Sequence, residues 1–174
     1  MQTYSLGFDP ATLRERVDLD AARNRLDELG EERSLSALSE KVGLLRVLGR
    51  LDEAMDVANE AVRQARFGGD RERLVQTRIE RALVQQFSGK LEPALAELGE
   101  CSTEANAHGW SATEAYALQH RGEVAFELDR LDDAARDLND ALIIRIRDHS
   151  SADEVDCTML ALGVILALSD SRSG

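Results

Sequence analysis

Proline, cysteine and aromatic residues are all scarce in this 174-residue chain: two prolines, two cysteines and 4% aromatics. With so few prolines and only twelve glycines, an all-β fold would lack the turn residues it needs, and long helices are expected instead. Cys101 and Cys157 cannot form a disulfide framework, so reduced thiols and a cytoplasmic setting are expected. Basic residues are outnumbered, 21 to 33, which gives a formal charge of −12. That balance argues against nucleic acid and against an anionic membrane surface as partners. No segment reaches the roughly 18 apolar residues that span a bilayer; the best, Met159–Leu168, is too short. The first ten residues carry neither a basic nor an apolar leader region, so no signal peptide is expected. Lysine occurs only at positions 41 and 90 among many arginines, the usage of a GC-rich bacterial genome.

What the chain does have is a repeat. Gly49-Arg50-Leu51-Asp52-Glu53-Ala54 is echoed by Gly89-Lys90-Leu91-Glu92-Pro93-Ala94 and again by Asp129-Arg130-Leu131-Asp132-Asp133-Ala134, 40 residues apart in each step. The register continues through Ala58, Leu98 and Leu138 and through Ala61, Cys101 and Ala141. Apolar residues recur three and four apart on both sides of each echo, as one face of a helix requires. Each unit therefore reads as two helices. The acidic residues after each echo fall in a helix first turn, where the dipole favours anions, and Pro93 sits where a missing N–H is harmless. Small residues in the second helix, facing Val42, Ala82 and Gly122 of the first, allow close approach.

At these residues the chain resembles the tetratricopeptide-repeat family, over about residues 35–168. Its period of 40 exceeds the family's usual 34, and Leu45, Gln85 and Ala125 replace the large aromatic of the first helix. The longer period looks like the extended variants of kinesin light chains and bacterial regulators. The resemblance implies an all-α fold, a right-handed α-solenoid of antiparallel helix pairs, in a single domain. Repeats are expected at 34–67, 71–107 and 110–148, with degenerate capping helices at 9–30, a terminal unpaired helix at 152–168 and a polar tail at 169–174. Asp9-Pro10 reads as an N-cap and first helical position.

The resemblance also implies a concave groove lined by the first helices. Its register assigns Arg46, Gln76, Ile79, Leu83, Gln86, Tyr116, Gln119 and Glu123 to peptide or helix binding, with Ser36, Ser39, Gly43, Val47, Phe87, Phe126 and Glu127 alongside. The clamp that chaperone-binding relatives use for a C-terminal carboxylate is not supported, because Ser39 and Gly43 hold the corresponding positions. Val155, Met159, Leu162 and Leu166 leave the last helix apolar nearly all round, and a homodimer interface is expected there.

Catalytic and metal signatures are missing. No HExxH, paired-cysteine, GxSxG or phosphate-loop pattern occurs. His108 and His149 suit helix C-termini, Cys101 the small-residue column, and Trp110 a core anchor. The expectation is a non-catalytic protein–protein interaction module with no cofactor, partnered by a protein or peptide. The competing expectation is a bacterial regulator that senses a small peptide and switches an effector in trans.

Overall fold

The apolar spacing resolves into eight helices and one short hairpin in the computed structural model, which describes residues 5–9 and 11–173. The elements are β1 (Ser5–Asp9), β2 (Arg14–Val17), α1 (Leu19–Leu29), α2 (Leu35–Val47), α3 (Leu51–Gly68), α4 (Arg71–Phe87), α5 (Leu91–His108), α6 (Ser111–Glu127), α7 (Leu131–Arg147) and α8 (Ala152–Ser173). The fold class is all-α, of the helical-solenoid kind, and within each of two compact units the helices pack on their sequence neighbours. The units hold α1–α4 and α5–α8, divided between Lys90 and Leu91. In the first, α1 packs on α2, α2 on α3 and α4, and α3 on α4. In the second, α5 packs on α6, α6 on α7 and α7 on α8.

The 40-residue echo is the turn that ends α2, α4 and α6. Gly49, Gly89 and Asp129 all take the left-handed conformation, with φ of 73°, 73° and 61°. The same backbone bond closes each turn: Arg50 N to Leu45 O, Lys90 N to Gln85 O and Arg130 N to Ala125 O, all 2.9 Å. These bonds satisfy carbonyls that a helix end would otherwise leave bare. Helix starts are capped where the chain supplies a short polar side chain: Ser34 accepts from Ala37 N at 3.2 Å, and Asp70 from Arg73 N at 3.0 Å.

Behind the turns, the repeated columns form the core of each unit. Ala54, Ala94 and Ala134 are fully buried, and so are Ala58, Leu98, Leu138, Ala61, Cys101 and Ala141. Val42, Ala82 and Gly122 are buried on α2, α4 and α6. Gly122 is the tightest contact. A Cβ there would lie 2.9 Å from Leu138 Cγ and 3.1 Å from the Ala134 carbonyl.

Two boundary expectations are corrected. No helix begins near Pro10; strands β1 and β2 occupy this stretch, and Pro10 itself lies outside the described residues. The Asp9 carboxylate accepts from Ala11 N at 2.9 Å, two residues on. That local bond makes a turn where a cap had been expected, and Leu13 follows with φ 55°. Only α1, capped by Asp18, remains of the two degenerate helices. At the other end, 169–173 is not a free tail. Helix α8 continues through it, since nothing between Leu168 and Ser173 breaks a helix, and Arg172 Nη1 donates to Asp129 at 2.6 Å. Trp110 is half-buried just ahead of α6, stacked on His108 with ring centroids 4.5 Å apart, so it is not a core anchor.

Candidate functional site

In the first unit, α2 and α4 place the expected groove residues at very different depths. Ile79, Leu83 and Gln86 are buried, while Arg46 and Gln76 are half-buried. Ile79 and Leu83 sit at positions where the helix turns inward, so their side chains are core and not ligand contacts. Arg46 lies over the Phe87 ring, 4.6 Å from its centroid, a cation–π contact between α2 and α4. Gln76 accepts from Arg73 Nη1 at 3.0 Å.

Beside this pair lies a polar site that no periodicity marks. Neither Ser39 Oγ on α2 nor Glu80 Oε2 on α4 makes a well-formed hydrogen bond, although both atoms are buried. Burial holds the Glu80 carboxyl above its ordinary value; nearby Ser39 and, more weakly, Arg73 and Arg46 pull it back down. The protonated form is thus favoured by folding. The penalty for ionised Glu80 is absent below the unfolded carboxyl value of about 4.5 and grows as pH rises through the higher folded value. Glu80→Gln is therefore expected to stabilise the protein at pH 7 by on the order of 1 kcal/mol and to do nothing near pH 4. Urea denaturation at the two pH values measures this, and an equal effect at both contradicts it.

In the second unit, Tyr116 is 38% exposed and stands edge-on to His120, with centroids 4.5 Å apart. His120 Nδ1 lies 2.6 Å from Glu123 Oε2, and Gln119 Nε2 donates to Glu123 Oε1 at 3.0 Å. Gln119 and Glu123 are buried, so neither is offered to a partner. Gln119 Oε1 instead turns inward, accepting from Arg145 Nη1 of α7 and lying 3.0 Å from Thr158 Oγ1 of α8. The polar residues of α6 thus tie three helices together.

An ion pair also fixes α6 to α7. Arg121 grips Asp137 through Nε at 2.6 Å and Nη2 at 2.5 Å, and its Nη1 donates to Ser102 of α5 at 3.2 Å. The hydrogen bond to Asp137 raises the Arg121 guanidinium pKa further. Repeat reasoning did not find this pair. Its signal was a lone Asp on the inward face of a second helix.

Helix α8 divides by face. Thr158, Ala161 and Ile165 are buried inward, in step with helical periodicity. Of the expected interface residues, Met159 and Leu166 are 48% and 49% exposed, while Val155 and Leu162 are half-buried at the edges. Leu160 and Leu168 are exposed as well. Gly163 lies exposed on the helix, with open space where a Cβ would be.

No protein-family model and no curated protein matches the sequence. Among solved structures, the chain is similar to the crystal structure of BtubC (BKLC) from P. vanneervenii, with a TM-score of 0.65 and 18% identity. The likeness covers 87% of this chain and 65% of that one, so this chain spans just under two thirds of its neighbour's length. At such identity it establishes the fold alone: a helical, repeat-like arrangement. Among the described residues, no helix is long and apolar enough to cross a membrane.

Proposed function

We propose that the chain is a non-catalytic protein–protein interaction module that self-associates through the outer face of α8. The observation that carries this reading is the exposed apolar stripe of Met159, Leu160 and Leu166 on one helix. Exposed apolar clusters on a soluble surface mark interfaces. The proposed occupant is a second copy, because the stripe is nearly self-complementary. A two-fold axis near Gly163, with the two α8 helices antiparallel, sets Met159 of one protomer against Leu166 of the other. Gly163 would permit close approach at the crossing point, and antiparallel helices oppose their dipoles favourably.

Membership in the tetratricopeptide class and a cytoplasmic setting belong to the same reading. The 40-residue register supports the first, and the acidic charge and two free cysteines suit the second. A peptide or helix partner is a further part of it, with Arg46 and Gln76 as the accessible groove candidates of the first unit and Tyr116, taken by itself, that of the second.

Light scattering after size exclusion, from 5 to 500 µM as the chosen range, tests the self-association. The expected mass moves from 19.2 kDa toward twice that value, and Met159→Glu/Leu166→Glu stays at the lower mass with unchanged helicity. A wild-type chain that remains monomeric throughout defeats the proposal.

A further inference from the structure

Arginines in this protein hold carboxylates in one recurring way. Arg25, Arg33, Arg50 and Arg121 each present the Nε–Nη2 edge to a Glu or Asp: Glu40, Glu60, Glu53 and Asp137. That edge matches the two oxygens of a carboxylate, which is why the pairing recurs. Arg145 departs from the pattern. It is only 5% exposed, and all its hydrogen bonds leave from Nη1, to Gln119 Oε1, Thr158 Oγ1 and the Glu154 carbonyl at 3.1 Å. Among the described residues, nothing accepts from Nε or Nη2, and no carboxylate lies within ion-pair distance of the guanidinium.

The nearest acids are already engaged. Glu123 receives Gln119 and faces His120, and the Glu154 carboxylate receives the Ser151 hydroxyl at 2.7 Å. Burial lowers the Arg145 pKa, and the distant charges of Glu154 and Glu123 offset this only in part. The repeat register makes the residue stranger still. Its column holds Ala65 and Ala105 in the two preceding repeats, both buried. An apolar column has thus been given a buried cation with three of its five N–H donors uncommitted. A buried charge is costly unless paired.

We propose that the Nε–Nη2 edge of Arg145 is a carboxylate-binding site, enclosed by α6, α7 and α8. Its ligand is the carboxylate of a peptide, from an acidic side chain or from a chain end. Nη1 is anchored by three acceptors, so the free edge is held in place before a ligand arrives. Tyr116, 38% exposed on α6, lies one helical turn before Gln119, whose Oε1 anchors Nη1, and so marks the way in. The site is independent of the outer face of α8, so dimerisation and carboxylate binding fail separately.

The test is an NMR titration of the wild-type protein, following arginine Nε–Hε resonances. The Arg145 signal is assigned by triple resonance and checked by its loss in Arg145→Lys. The probes are Ac-Ala-Ala-Ala with a free carboxylate, Ac-Ala-Asp-Ala-amide, and Ac-Ala-Ala-Ala-amide, each at ionic strength matched with sodium chloride. The expected result is a saturable downfield shift of the Arg145 Hε with at least one carboxylate probe, while other arginine signals stay in place. Which of the two acts identifies the source. No response to either carboxylate probe overturns the proposal. So does an equal response to the uncharged amide or to chloride. The titration needs only the wild-type chain, so a poorly folding variant leaves the outcome decisive.

Discussion

Arg121→Met is expected to destabilise the second unit by about 3 kcal/mol, among the largest single effects available in this molecule. The cost comes less from the lost attraction than from the carboxylate left behind. Asp137 is only 4% exposed on the inner face of α7, and Arg121 supplies both of its short bonds. Removing the cation leaves a buried, uncompensated charge, for which losses of about 3–5 kcal/mol are typical. The Arg121 side chain keeps 28% of its surface in solvent, and water that follows it inward will soften the penalty, which favours the low end. Replacing both partners gives the sharper reading. Arg121→Met/Asp137→Leu is expected to recover most of the loss, since no charge then remains to be satisfied. Urea denaturation followed by circular dichroism measures both variants. A double variant as unstable as the single would show that the pair supports α6 through packing and not through charge.

Gly122→Val is expected to cost about 3 kcal/mol, the upper part of the range for overpacking. Two effects compete at this position. Every side chain but proline improves on glycine's helix propensity, by about 1 kcal/mol for alanine. Against that gain stand the 2.9 Å approach to Leu138 Cγ and the 3.1 Å approach to the Ala134 carbonyl. Leucine can rotate away, but a backbone carbonyl in the first turn of α7 cannot. Even Gly122→Ala should therefore lose stability. Gly43, on α2, provides the internal control. Nothing lies within 4 Å of a Cβ built there, so Gly43→Ala should stabilise by about 1 kcal/mol. Opposite signs for the same substitution separate packing from propensity. A gain at both positions would contradict the α6–α7 contact.

These sites show how far the sequence alone reaches. The turn at Gly49 repeats at Gly89 and at Asp129 because each ends a helix whose last carbonyls need a partner from the chain just beyond. A left-handed residue is the local solution every time. Periodicity carries that information, and it located α2 through α7 and the buried columns. The hairpin before α1 was not legible, because Asp9-Pro10 suits a helix cap and a turn equally and only the bond to Ala11 decides. The groove assignments failed in part for a related reason. A register gives direction around a helix, but it does not say whether the neighbouring helix already fills that direction. Ile79 and Leu83 are fully covered and Arg46 only half so, although all three follow the same rule. The polar cluster of Gln119, Arg145 and Thr158 could have been found. Each stands where the preceding repeat has an apolar residue: Ile79, Ala105 and Leu118. Three polar departures at aligned positions point to one three-dimensional site, and a departure from a repeat is easier to miss than the repeat itself.

The recurrence of a left-handed, helix-ending turn every 40 residues, at Gly49, Gly89 and Asp129, underlies every site described above. Triple-resonance NMR of the full chain tests it most directly, through Cα and Cβ secondary shifts joined to long-range contacts. Helical shifts should run through 35–47, 51–68, 71–87, 91–108, 111–127 and 131–147, with breaks at Gly49, Gly89 and Asp129 and a contact between the Gly122 Hα and the Leu138 methyls. Extended shifts between 35 and 147, or helical shifts continuing unbroken through those three positions, would contradict it.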